Sequence, residues 1–185
     1  MAINFDYYGS LSEANEYFDM RLHESAWYGA TLTTRPKALW AATRIIDTLN
    51  YKGFKSTVYD LLVANSLTDL PRDLSDTSTP TLDEVLAAEA AQVLEFPRGL
   101  DSTVPEAIRI AQYEIAHTLL DGKDPELELE NLGIISQGYA SVRTTFSRTH
   151  VPVEHIVNGV PSSTAWRLLV PFLRDDDAIR VSRVS

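Results

Sequence analysis

Glu114-x-x-His117 puts a carboxylate and an imidazole one helical turn apart, the spacing at which two metal ligands share a face. A di-iron bundle needs two such pairs and two further glutamates. The chain has no second Glu-x-x-His, so the expectation is a polar helix face and no metal site. Tyr139 and Arg143 lie four residues apart in a stretch that reads as extended, and on one strand they would share a face. An aromatic ring beside an arginine is how single-stranded nucleic acid is gripped. The competing reading is a β-arm whose arginine meets a neighbouring subunit's carboxylate. Asp175-Asp176-Asp177 lacks the spacing of a calcium loop and reads as a solvated helix exit. His23, His150 and His155 fall in different elements, the last two bracketing Pro152 in an expected loop. There is no Gly-x-Ser-x-Gly elbow, no phosphate-cradling glycine motif and no cysteine. No catalytic residue is assigned, and no cofactor is expected.

Net charge decides between the two readings of the arginine. The chain carries −10 overall, divided as −12 over residues 1–135 and +2 over residues 136–185, where all six basic residues are arginine. An acidic body repels phosphate, so a general nucleic-acid surface is not expected and the protein-contact reading is preferred. With 185 residues the chain suits one domain and buries about 70% of its unfolded surface without a disulfide. No stretch approaches the ~20 apolar residues that cross a bilayer. The N-terminal residues lack the basic start and apolar run of a signal peptide, so the expectation is a soluble protein made where it works.

Helices must position these residues. Ser10 with Glu13 reads as a capping box opening an amphipathic stretch through Ala14, Tyr17, Phe18 and Leu22, which Trp27-Tyr28-Gly29 then breaks. A second helix starts near Thr34 or Arg35, with Pro36 in its first turn and Leu39, Ala42, Ile45, Ile46 and Leu49 toward the core, and Gly53 ends it. Tyr59, Leu61, Leu62 and Val63 suggest a short buried turn or strand, followed by a loop rich in Pro, Ser, Thr and Asp. Thr81 with Glu84 caps an alanine-rich helix over about Leu82 to Leu94, and Phe96-Pro97-Arg98-Gly99 is a turn. Pro105 opens the clearest helix, lined by Ile108, Ala111, Ile115 and Leu119 and stopped by Gly122. Asp124-Pro125-Glu126 begins a further turn through Leu129, and Pro161-Ser162-Ser163 leads into a last helix with Trp166, Leu169, Phe172 and Leu173. Of the three tryptophans, Trp40 and Trp166 lie on amphipathic helices and are expected in the core. Trp27 is left open as an interface anchor. The fold class expected is mostly α, a helical bundle with an extended arm or β-hairpin over residues 134–149 before the last helix and an extended C-terminal tail.

Four segments resemble one family of phage proteins. They are Ala41-Ala42-Thr43-Arg44-Ile45-Ile46-Asp47 through Gly53; Phe96-Pro97-Arg98-Gly99; Asn131-Leu132-Gly133-Ile134 with Ser136-Gln137-Gly138-Tyr139 and Val142-Arg143; and Ser162 through Leu169 with Pro171-Phe172-Leu173. Members are commonly labelled DnaT-like single-stranded-DNA-binding proteins, while their helical layout is similar to head-to-tail connector adaptors of tailed bacteriophages. The resemblance spans most of residues 10–174, with 55–94 as an insertion relative to shorter members. It implies a single adaptor domain over residues 1–174 and a structural, non-enzymatic role in the virion, at the head–tail junction, after assembly in the host cytoplasm. The partners it implies are the portal, a tail or nozzle protein, and further copies of the chain in a ring of about a dozen. DNA is implied only as passing cargo, and no membrane is involved. Tyr139, Arg143, Phe146 and Arg148 are the expected subunit or partner contacts. Residues 175–185 form the expected docking tail, in which Ile179, Arg180, Val181, Arg183 and Val184 mix β-branched residues with arginine and suit a partner's sheet edge or groove. The alternative function is a single-stranded-DNA-binding replication protein.

Overall fold

The computed structural model describes residues 5–65, 80–132, 136–139, 142–145 and 154–174, and these are mostly helical. No helix among them is long and apolar enough to cross a membrane. The chain divides into two compact units, one formed by residues up to Leu49 with Ala107–Pro171, the other by Asn50–Glu106 with the residues from Phe172 onward.

The first unit begins with α1 (Leu11–Asp19), whose start is fixed by the Ser10 side chain accepting from the Glu13 N–H at 3.2 Å. Only that half of the expected capping box forms, because the Glu13 carboxylate pairs with Arg109 instead. The helix stops at Asp19, which leaves Leu22 outside the apolar stripe and 82% exposed. Trp27 does not break the helical pattern as expected: it sits in the short α2 (Ser25–Gly29). Its indole is fully buried, stacked on Phe18 with centroids 4.5 Å apart, and its N–H donates to the Asn15 side chain at 3.0 Å.

Helix α3 (Thr34–Asp47) starts where the threonines and Pro36 place it, and it buries Ala38, Leu39, Ala42, Thr43 and Ile46. Trp40 is only half-buried, against Phe5. The expected clearest helix is α6 (Glu106–Leu120), and it is more central than its apolar stripe indicates. Every residue from Ala111 to His117 is buried, including Gln112, Tyr113 and Glu114. Gln112 fits there because its Nε2 donates to the Leu39 carbonyl at 3.0 Å and the Thr43 hydroxyl at 2.8 Å. Gly122 follows with φ +84°, the left-handed exit that glycine provides without a Cβ clash.

Helix α7 (Pro125–Leu132) leads to strands β1 (Ser136–Tyr139) and β2 (Val142–Thr145), paired antiparallel. A short helix, α8 (Glu154–Val157), occupies what the sequence suggests is loop, so His155 is helical and half-buried. Ser162 caps α9 (Ser163–Leu169), accepting from the Ala165 N–H at 3.2 Å, and Trp166 and Leu169 are buried. A 3-10 turn, Val170–Phe172, ends the element.

In the second unit, α4 (Ser56–Ala64) is a helix where a buried turn or strand was expected. Val58 is its one buried residue, and Val63 is 46% exposed. Helix α5 (Leu82–Ala91) has the full capping box, with Thr81 and Glu84 bonded reciprocally. It packs on α4, with the Thr57 hydroxyl donating to the Ala88 carbonyl at 2.6 Å and the Thr57 N–H to the side-chain carbonyl of Gln92, just past the helix, at 3.4 Å. Phe96 is buried between Tyr51 and Phe172, with centroids 4.7 and 5.6 Å away. Tyr51 bridges Leu173 antiparallel, and flanking bonds run from Lys52 N–H to the Phe172 carbonyl at 2.9 Å and from Arg174 N–H to the Asn50 carbonyl at 3.0 Å.

Candidate functional site

The Glu114 and His117 side chains do lie one turn apart on α6, and their partners come from α1 and the segment after it. Arg21 grips Glu114 with two parallel bonds, Nε to Oε1 at 2.7 Å and Nη2 to Oε2 at 3.0 Å. The Tyr17 hydroxyl donates to the same Oε1 at 2.6 Å. Burial pushes the Glu114 carboxyl up, but the Arg21 and Tyr17 hydrogen bonds more than offset it and hold the group below the usual carboxylate range. Tyr17 is correspondingly raised to about 12, by burial first and then by the carboxylate it faces. Oε1 accepts two of these bonds and Oε2 one, so three of the carboxylate's four or so lone-pair positions are taken within the chain.

His117 lies beside the same arginine: its Nε2 is 3.0 Å from the His23 carbonyl oxygen and 3.4 Å from Arg21 Nη1. The ring stacks near Phe18 at 5.7 Å. Burial, and then the nearby Arg21 charge, hold its pKa below the ordinary histidine value. His23 reaches this position with φ +62°, the left-handed region that few non-glycine residues adopt. The cluster opens on a polar cavity of about 390 Å³, to which Asp121, Lys123, Glu128 and His155 also contribute. Among the described residues no group of three His, Cys, Asp or Glu is placed to hold a metal ion.

The arrangement is that of a structural lock. Two elements 93 residues apart in sequence are joined by a bidentate ion pair, to which the Tyr17 hydroxyl and the Leu22 and His23 carbonyls add further bonds. The sequence points to Glu114 and His117 through their spacing but gives no signal for Arg21 as their partner.

The other expected contacts are partly placed. In the β1–β2 ladder Tyr139 pairs with Val142 and Gly138 with Arg143. Tyr139 and Arg143 therefore sit on the two different strands of the hairpin. Phe146 and Arg148, the Asp175-Asp176-Asp177 run, and Ile179, Arg180, Val181, Arg183 and Val184 lie outside the described residues.

A further surface was legible in the sequence but not read from it. On α5 the residues Leu82, Leu86 and Glu89 follow the i, i+4, i+7 spacing of one helix face, and Val93 comes just after the helix end at Ala91. Leu82 is 72%, Leu86 52% and Val93 57% exposed. No family model matches the chain, and no curated protein or solved structure matches it.

Proposed function

We propose that this chain is a non-enzymatic part of a tailed-bacteriophage virion, a head-to-tail adaptor whose copies form a ring between portal and tail. The observation that carries the reading is α5. Seven of its ten residues are Leu, Val or Ala, yet none is buried, and Leu82 and Leu86 lie outward and exposed. A helix apolar on both faces belongs inside something larger, and a ring of identical subunits supplies that cover. The four segments similar to connector adaptors support the identity of the assembly. The acidic body supports a channel through which DNA slides without adhering. The pairing of Glu114 with Arg21 and Tyr17 is in keeping with a structural role for the polar cluster.

In this reading the β1–β2 hairpin is the arm that touches a neighbour, and residues 175–185 dock on the portal. Imaging of purified particles is the test. A ring of this chain at the head–tail junction is the expected outcome, and its absence from particles would remove the proposal. Deleting residues 178–185 should leave the helical spectrum unchanged and abolish attachment to portal; full attachment of the truncated chain would refute the docking role.

A further inference from the structure

We propose that the outward face of α5 is covered by the outward face of α3 from a second copy of the chain, a contact that rests on the ring reading only for the presence of that copy. The two faces are complementary in three respects.

The first is charge. Helix α5 carries Asp83, Glu84 and Glu89 and no basic residue, whereas no acidic residue occurs anywhere from residue 25 to residue 46. On α3 the residues Thr34, Lys37, Ala41, Arg44 and Thr48 follow 3-4-3-4 spacing, a single stripe, and all but half-buried Ala41 are exposed. Neither Lys37 nor Arg44 has an ion pair among the described residues, and neither do Asp83 and Glu89. Two α5 faces meeting about a twofold axis would instead bring these carboxylates together, which disfavours self-pairing of α5.

The second is spacing. Lys37 and Arg44 are separated by about 10 Å along their helix and Asp83 and Glu89 by about 9 Å, at 1.5 Å per residue. The separations match along the axis; around it Lys37 and Arg44 lie on one line, while Asp83 and Glu89 flank Leu86 on either side.

The third is shape. Ala41 lies midway between the two basic residues and Leu86 midway between the two acidic ones. A leucine knob over an alanine gap is the packing that lets helices approach to 8–10 Å, the usual range of roughly ten ångströms or less. The Lys37 and Arg44 stems cover the flanking Leu82 while their heads stay wet. Because the donor and acceptor faces are different surfaces, the contact is head-to-tail, the kind that closes rings.

The absence of cysteine makes the test clean. Full-length Ala41→Cys and Ala90→Cys variants, each with a single thiol on one of the two faces, are mixed under mild oxidant. The expected product is a 41–90 disulfide-linked dimer that forms faster than the 41–41 and 90–90 dimers. Adding Lys37→Glu and Arg44→Glu to the first variant should slow it by about tenfold, the effect of opposing two exposed pairs. Adding Asp83→Lys and Glu89→Lys to the second should restore the rate. Equal rates for the three dimers, or a 41–90 link indifferent to the charge reversals, would overturn the contact. Light scattering on the unmodified chain separates this from the ring reading: a multimer without the 41–90 link discards the contact and leaves the ring.

Discussion

Arg21 holds Glu114 with two parallel hydrogen bonds of 2.7 and 3.0 Å, tying the end of α1 to the middle of α6. The carboxylate's side chain is 6% exposed and the arginine's 24%, so the pair is largely withdrawn from water.

Arg21→Ala should therefore cost about 2–4 kcal/mol at pH 7, somewhat under the range for breaking a fully buried pair. With the pair intact, the depressed Glu114 pKa contributes stability that is present above pH 4.5 and is lost as pH falls below it. Without Arg21 the leading cause of lowering is lost while burial remains, so the mutational penalty should shrink as pH falls through 4.5. Urea unfolding of both chains at pH 7 and pH 4 measures this; a penalty unchanged between the two would show that Glu114 is solvated.

His117 and His155 both have pKa values held below 6.5, in each case chiefly by burial. The unfolded chain then takes up protons first on acidification, so stability should be full above about pH 6.5 and decline below it. The double variant His117→Gln, His155→Gln should flatten the melting temperature between pH 7 and pH 5.5. A slope equal to that of the parent chain would assign the effect to other groups.

Trp27→Ala should cost about 3–5 kcal/mol, the range for emptying a fully buried aromatic site. Trp40→Ala, at a half-buried position against Phe5, should cost about 1 kcal/mol. Chemical unfolding ranks the two, and equal losses would contradict the burial pattern. The sequence indicates the opposite order, because Trp40 lies on a regular amphipathic helix and Trp27 precedes a glycine.

That inversion illustrates what was legible. Periodicity located α3, α6 and α9, and the Ser10, Thr81 and Ser162 caps are formed at their backbone bonds. Helix α4 was missed because Tyr59, Leu61, Leu62 and Val63 form a short apolar run, in which helix and strand periods are indistinguishable. The lock at Glu114 was half-legible, since spacing along one helix shows in a sequence and a partner 93 residues away does not. Gln112 was read as neither core nor site, because its burial depends on acceptors supplied by α3.

Gly9→Ala should destabilise the chain by about 1–3 kcal/mol, combining left-handed strain with a steric clash. Gly9 has φ +68°, and a Cβ there would lie 2.5 Å from the Tyr113 hydroxyl oxygen and 2.9 Å from a Glu13 carboxylate oxygen. Adding Tyr113→Phe should recover part of the loss, since that hydroxyl has no hydrogen-bond partner to forfeit. Thermal melts of the two variants decide the matter, and no recovery would confine the effect to the backbone.

The antiparallel bridge of Tyr51 with Leu173 also has a mechanical consequence. Its flanking bonds, Lys52 to Phe172 and Arg174 to Asn50, clamp the chain at the last residues before the tail. Tension arriving from beyond Arg174 is borne first by this clamp and by the Phe96 ring wedged against Phe172. Whatever pulls on that end works against a two-bond latch, and α9, which ends at Leu169, is loaded only after the latch has opened.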